Sequence, residues 1–435
     1  MKLADYITDV APRAVLFELT RRGWRKPPNP LTLTFSITVA CQSRCKTCNI
    51  GNVYLANPRL AEENLSLEEI EKVFKSLGRV YFFNVSGGEP FMRPDLAEII
   101  RLACIHLKPR LIHIPTNAIS PQFIDKTTRR ILEYMDEYAP ASTPISIKPS
   151  IDGIGKMHDY IRGVEGNFEM LERTIDVLLA IRAENPRLHV DLGTVISNFN
   201  IHHLDAIEDW VHRRGIESYR HEIAEQRAEF HNLGDPITPP VQVYERLTAG
   251  FKNKILRNIR KKAWLTRTTE AVRLVYYDVA VQILKERRQV TACYGGISNI
   301  HLNYNGDIWP CCVLGNENQM GNVRRSDYDI QALLRSPQAR EARQYIAAGN
   351  CACPLANQWL NNVLLTPRHM LKVLYTVLLM IFWKAPDGPS SVRNVVPADI
   401  EVEITGHQMK QALVLDKLGT IPEEVEIELP VFKDQ

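Results

Sequence analysis

Three cysteines spaced C-x3-C-x2-C, namely Cys41, Cys45 and Cys48 in CQSRCKTC, carry the most specific chemistry in this chain. Thiolates this close can occupy three corners of an iron-sulfur cubane, and a [4Fe-4S] cluster takes four ligands. The missing fourth leaves one iron open to a substrate or cofactor, as a catalytic zinc keeps a vacant position. The alternative is a zinc ion that draws its fourth ligand from elsewhere in the chain. Arg44 and Lys46 beside the thiols either help hold them deprotonated or are plain solvated charges.

A second group comprises Cys293, Cys311, Cys312, Cys351 and Cys353. Cys293 and Cys311 bracket a hairpin pattern: a strand over residues 301–304, an Asn305-Gly306 turn and a returning strand. With Cys351 and Cys353 they make a closed four-thiolate site, compatible with zinc or with iron-sulfur. Cys312 either replaces Cys311 or faces the other side of its strand. Cys104, in the apolar helical stretch IIRLAC, reads as a core thiol. Clustered cysteines in a reducing compartment argue for metal rather than for disulfides.

The elements that must position these groups alternate along the chain. Residues 31–40 (LTLTFSITVA) read as a strand that ends at Cys41. Residues 80–85 (VYFFNV) read as a second strand running into Ser86-Gly87-Gly88-Glu89-Pro90, where two glycines let backbone approach a ligand and Glu89 offers an acceptor for an ammonium group. Further strands are expected over 111–115, 145–151, 188–196 and 216–223. Helices are expected over 95–107, 121–137, 168–184 and 204–214, and another, opened by the Ser66-Leu67-Glu68-Glu69 capping box, reaches Leu77. Such alternation with right-handed crossovers builds a parallel sheet, closed or partly closed into a barrel. In barrels ligands sit at the strand C-termini, where these motifs fall.

The cysteine triplet after the first strand, followed by Gly-Gly-Glu-Pro after the second, resembles the radical SAM superfamily. Thr47 departs from the aromatic residue usual before the third cysteine. The resemblance implies an α/β fold, a partial (β/α)6 TIM-like radical SAM barrel. It also implies a [4Fe-4S] cluster on Cys41, Cys45 and Cys48 whose open iron chelates S-adenosylmethionine (SAM), with reductive cleavage of SAM to a 5′-deoxyadenosyl radical. Cofactor-binding roles are implied for Gly87, Gly88, Glu89 and Pro90; for Asn117 in Thr116-Asn117-Ala118; for Ser150 and Asp152 in SIDG; and for Arg162 in HDYIRG, whose guanidinium fork suits the SAM carboxylate. The later pattern, with Gly306 before Cys311, resembles the SPASM and twitch extensions, which form a small auxiliary-cluster domain. Nine cysteines leave enough, beyond the first three, for one auxiliary [4Fe-4S] cluster, on Cys293, Cys311, Cys351 and Cys353. Tyr304 and Asp307 near that cluster are candidate proton or radical handlers, or simply hairpin packing.

Composition is ordinary for a globular chain: 435 residues, 45% apolar, 24% charged and a net charge of +3. That charge is no nucleic-acid signature, no run reaches a membrane span, and the N-terminus has no signal-peptide pattern. A cytoplasmic protein is expected. The organisation expected is an N-terminal helical extension over 1–30, the barrel over 31–239, a basic helical insert over 240–292, the cluster domain over 293–362 and a C-terminal extension over 363–435. Residues 251–267 carry seven Lys or Arg and no acid among apolar residues, a pattern shared by membrane-surface helices and solvated faces. Residues 373–383 (VLYTVLLMIFW) either pack onto the protein or dip into a membrane interface, and residues 400–432 alternate as a late hairpin would. These elements and the short stretch before the first strand tilt the substrate expectation toward a membrane-associated small molecule or lipid precursor, with peripheral membrane contact. The alternatives are a ribosomal-peptide maturase and, in another class, a non-catalytic electron carrier. A flavodoxin or ferredoxin is the expected reductant partner.

Overall fold

The computed structural model describes residues 9–216, 218–259, 264–315 and 317–382. Strands β1 (Thr32–Ser36), β2 (Phe82–Ser86), β3 (Leu111–Thr116), β4 (Ile145–Pro149), β5 (Leu188–Ile196) and β6 (Ser218–Ile223) pair in parallel with their sequence neighbours. Before β1 lies α1 (Ala11–Arg21); α2 (Ile50–Ala56) and α3 (Leu67–Leu77) join β1 to β2. The remaining crossovers are α4 (Leu96–Leu102), α5 (Pro121–Tyr138), α6 (Lys156–Arg162) with α7 (Asn167–Glu184), and α8 (Leu204–Arg213). Ser66 caps α3 in the expected box: its side chain accepts from Glu69 N, and the Glu69 side chain accepts from Ser66 N. The helix expected over 95–107 divides into α4 and one π turn, Ala103–Leu107, which buries Cys104 and ends on Lys108 in the left-handed region.

Period-two alternation gives the sheet two unlike faces. Leu33, Phe35, Phe83, Val85, Ile112, Ile114, Ile145 and Ile147 are buried, and Phe74 of α3 meets Phe35 and Phe83 edge-on at 6.1 and 5.6 Å. Apart from Phe82 and Leu111 at the strand starts, polar residues dominate the intervening positions, and several are bonded to one another. Asn84 Nδ2 donates to Thr34 Oγ1 (3.3 Å), His113 Nδ1 pairs with Ser146 Oγ (3.2 Å), and Ser146 Oγ donates to Asp191 (2.5 Å). A parallel sheet covered on both faces would read as continuous apolar runs; here the hydrocarbon is concentrated on one face.

The hairpin of the second cysteine region extends this sheet. β7 (Asn299–Leu302) pairs in parallel with β1, and β8 (Asp307–Trp309) and β9 (Gly321–Asn322) follow antiparallel, giving the order β6-β5-β4-β3-β2-β1-β7-β8-β9. The open edge of β1 would otherwise present unpaired backbone groups. Between β6 and β7 run α9 (Val241–Asn258) and α10 (Trp264–Glu286); after β9 come α11 (Ile330–Arg335), α12 (Pro337–Ala347), α13 (Ala356–Leu365) and α14 (Pro367–Phe382).

The basic stretch 251–267 includes the end of α9 and the start of α10, and its residues 260–263 lie outside the described residues. Its apolar Phe251 stacks on His221 at 4.0 Å, while Lys252 pairs with Asp278 and Lys254 with Glu208. These lysines therefore face protein carboxylates. In α14, Val373, Val377 and Met380 are buried, whereas Leu371, Leu374, Tyr375 and Leu378 are exposed. Among the described residues no helix is long and apolar enough to cross a membrane. The late hairpin expected over 400–432 lies outside the described residues.

Candidate functional site

β1 stops at Ser36, earlier than the residue pattern suggests, because the chain turns outward into the cysteine loop. Thr38 and Ala40 on that loop accept hydrogen bonds from Gly88 N and Glu89 N, each 2.8 Å. These bonds press the two motifs together so closely that a Cβ on Gly88 would overlap the Ala40 carbonyl and one on Gly87, which has φ +126°, the Thr38 carbonyl. Only glycine fits such an approach.

Glu89 is buried, and its carboxylate ties the strand ends together. Oε1 accepts from Thr116 Oγ1 (2.8 Å) and Phe91 N (3.1 Å), and Oε2 from Asn117 N (2.6 Å). Burial pushes its pKa up to about 7 against those hydrogen bonds. The sequence offers Glu89 as an ammonium acceptor; in the fold its oxygens already hold three donors from the protein. Asn117 donates its side-chain amide to Ser43 Oγ (2.9 Å) on the cysteine loop, and Ser150 N donates to Thr116 O (3.0 Å).

Arg162, at the end of α6, lies beside the thiols with its side chain 12% exposed. Its Nη1 meets Asp152 Oδ2 at 3.1 Å, and Asp152 Oδ1 accepts from Val195 N. Burial alone would lower the guanidinium pKa, but Cys45, Asp152 and Cys41 hold it raised. Its Nε is buried with no partner. Burial pushes the Cys41 thiol up to about 12, with Cys45 adding to it, and raises Cys45 and Cys48 as well. Thiols that cannot ionise alone become ligands when a cation replaces the proton. Three such thiols on one loop, a glycine-lined approach and an unpartnered guanidinium N–H together suit a cluster and an anionic amino-acid group.

In the second group, Cys293 and Cys311 are buried in one cluster with Leu314 and Ile346, and Cys351 packs against it. Burial, followed by Glu225, Cys311 and Cys293, raises the Cys353 thiol. Cys312 points elsewhere. Arg227 Nη1 lies 3.8 Å from its sulfur.

A cavity of about 290 Å³ opens beside the Gly87-Gly88 approach. It is lined by Gly87, Gly88 and Thr38, by Asn303, Tyr304, Asp307 and Trp309 of the hairpin, and by Glu229 and His231. Tyr304 and Asp307 thus lie at the mouth of the first motif. The Asp307 carboxylate is already held by Asn305, Asn322 and Gln319. Residue patterns alone did not single out the segment after β6. Arg227 pairs with Glu225 (2.7 Å), and burial pushes Glu229 up to about 7. This segment is clamped to the cysteine loop by Asn49 N to Phe230 O and Asn232 Nδ2 to Thr47 O, both 2.8 Å. The signal available was three charges in EQRAE directly after a strand C-terminus.

Comparison with known proteins agrees with this arrangement. The model for the radical SAM superfamily matches residues 35–211, and that for SPASM, an iron-sulfur cluster-binding domain, matches residues 293–354. The chain carries a radical SAM domain over residues 35–211 and a SPASM domain over residues 293–354. Its cofactors are accordingly a [4Fe-4S] cluster with SAM and auxiliary iron-sulfur, not zinc. Similar proteins include the antilisterial bacteriocin subtilosin biosynthesis protein AlbA of Bacillus subtilis, 21% identical over 75% of this chain and 64% of that protein. The mycofactocin maturase MftC of Mycolicibacterium smegmatis is 27% identical over 46% of this chain and 45% of that one. The chain thus spans between about half and two thirds of these relatives' length. In fold it resembles Streptococcus suis SuiB bound to S-adenosylmethionine, with TM-score 0.53 and 16% identity over 79% of this chain and 74% of that one.

Proposed function

We propose that this protein is a radical SAM maturase of a peptide, with its substrate held in the cavity between the glycine pair and the hairpin. Cys41, Cys45 and Cys48 would hold the first cluster, and Gly87, Gly88, Pro90, Asn117, Ser150, Asp152 and Arg162 would frame SAM, Glu89 acting through the strand ends it ties. Cys293, Cys311, Cys351 and Cys353 would hold one auxiliary cluster. When bound, the first cluster and SAM supply the one-electron chemistry that removes hydrogen from a substrate. The protein's own part is to orient the ligand amine and carboxylate, to exclude water and to present one C–H bond at the cavity wall.

The observation that carries the reading is the cavity itself, which touches both the Gly87-Gly88 approach and the SPASM hairpin. The relatives' names, a bacteriocin biosynthesis protein and a maturase, favour a peptide over the lipid precursor expected from the apolar elements. The paired lysines of α9 remove part of the case for a membrane surface. An electron carrier would need no glycine-lined approach beside its thiols.

The test is anaerobic incubation of the reconstituted protein with SAM, a reduced flavodoxin and capped synthetic peptides. 5′-Deoxyadenosine formed in step with a peptide mass change is expected. No 5′-deoxyadenosine would favour the carrier, and stimulation by polyprenyl lipids but not peptides would overturn the peptide reading.

A further inference from the structure

An ion pair stands on the polar face of the sheet with both partners partly exposed. Lys148 Nζ of β4 lies 3.4 Å from Glu222 Oε1 of β6, with 18% and 30% of the two side chains exposed. The two strands are not neighbours, since β5 runs between them. Lys148 crosses that strand over Gly193, where a Cβ would come within 3.1 Å of its Cδ and 3.2 Å of its Cε. Arg220 is the register partner of Gly193 on the far side, and partners in adjacent parallel strands share a face. The opposite face of β6 is taken up by helix packing: Tyr219 meets His221, which stacks on Phe251 of α9. Arg220 and Glu222, two residues apart, therefore stand on the side of the sheet that Lys148 crosses.

These accessible charges do not balance. Arg220 is exposed, and among the described residues no ion pair or hydrogen bond engages its guanidinium. Asp191, the next carboxylate on this face, is buried and already takes the Ser146 hydroxyl at 2.5 Å. The Lys148 charge, opposed by burial and helped by Arg227 and Arg220, holds the Glu222 carboxyl below its ordinary range. Two cations thus share one accessible carboxylate, which leaves a place for one more anion. The place is at the ligand end of the strands. Lys148 is the penultimate residue of β4 and Glu222 of β6. Val195, the register partner of Glu222, donates its N–H to Asp152, which pairs with Arg162.

We propose that Lys148 and Arg220 bind a carboxylate of the peptide substrate, with Glu222 positioning the Lys148 ammonium. This rests on the peptide-maturase reading and narrows the substrate to peptides with an acidic side chain or a free C-terminus near the modified residue. A guanidinium takes a carboxylate through two N–H groups, and an ammonium adds a point charge beside it. On the same reading Arg162 serves SAM, so the two anions have separate cations.

The experiment uses the reconstituted protein with SAM and three randomised pools of N-acetylated octapeptides, reading retained peptide by ultrafiltration and mass spectrometry. The first pool is C-terminally amidated and contains Asp and Glu. The second has Asn and Gln in their place, and the third differs from the second only in its free C-terminal carboxylate. Wild type should retain roughly tenfold more of the first or the third pool than of the second, the gain from a charge-assisted contact. Which of the two is enriched tells a side-chain carboxylate from a terminal one. Arg220→Gln, which removes no ion pair of the fold, should lose that preference, as should Lys148→Met. Iron content per chain reports whether the variants fold, and equilibrium dialysis should find their SAM affinity unchanged. Weakened SAM binding with the acidic preference intact would assign these cations to SAM and overturn the inference. Equal retention of all three pools by wild type, or a preference that both substitutions leave intact, would overturn it while leaving the maturase reading standing. If wild type retains none of the pools, the reading and the inference fall together.

Discussion

Asn232 donates its side-chain amide to the backbone carbonyl of Thr47 at 2.8 Å, one residue before the third cysteine of the first group. The two residues are 185 positions apart. Asn232 also donates to Glu225 O and accepts from Arg227 N, so one buried side chain holds the charged segment after β6 against the cysteine loop.

Replacing it with alanine strands three buried backbone groups. Asn232→Ala should destabilise the protein by about 2–4 kcal/mol and reduce iron at the first site. Chemical unfolding and iron analysis of the purified variant check both; unaltered iron would mean the loop holds its cysteines unaided.

Glu89→Gln keeps the shape of the strut but points an N–H₂ at a donor that the carboxylate had accepted. With Thr116, Asn117 and Phe91 all donating, one of them loses its acceptor, at about 1–3 kcal/mol. SAM affinity should fall roughly tenfold, readable by equilibrium dialysis of the reconstituted protein. A fall as large in Glu89→Asp, where the shorter carboxylate still accepts, would argue for direct contact with SAM instead.

Gly88→Ala places a methyl group against the Ala40 carbonyl, which is backbone and cannot swing aside. The hydrogen bonds between the two motifs must then open. The variant should fold its helices but fail to load the first cluster, with the 400 nm absorbance and iron content both reduced while circular dichroism is retained.

Cys311→Ser and Cys312→Ser should part company although the residues are adjacent. Cys311 packs with Cys293, whereas Cys312 faces Arg227 and Glu229. Wild type with two [4Fe-4S] clusters carries about eight iron atoms per chain. The first substitution should lower that count by about four and the second leave it near eight. Equal losses would place both sulfurs on the cluster.

Glu69 links α3 to the 3-10 turn Val323–Ser326 and the residues that follow it: besides Ser66 N it accepts from Arg324 Nε (2.7 Å) and Tyr328 Oη (3.0 Å). The Arg324 bonds, opposed by burial, hold its carboxyl down at about 2, against 4.5 in an unfolded chain. A depressed pKa contributes stability that is complete above the unfolded value and lost as pH falls from there toward 2. Arg324 is partly exposed, so the contribution is about 1 kcal/mol. The urea midpoints of wild type and Glu69→Gln should differ at pH 6 and draw together as pH falls below 4 toward about 2; a gap that widened on acidification would refute the assignment.

The sequence by itself determined what depends on near neighbours. The capping box of α3, the full extent of β5 over Leu188–Ile196, the cysteine triplet and the glycine pair are written in spacings of two to four residues, which backbone geometry converts directly into turns, faces and caps. The tertiary structure alone decided what depends on distant segments meeting. β7 completes the edge of β1, bringing Ser36 within 2.8 Å of His301 across 265 positions, and no local pattern encodes that pairing. The directions of Cys311 and Cys312 were open in the sequence because adjacent side chains diverge, and only the neighbours waiting on each side distinguish them. Glu229 reads along the chain as an ordinary surface charge. It lines the cavity because Asn49 and Asn232 draw its segment onto the cysteine loop, where burial, and not residue type, sets its chemistry.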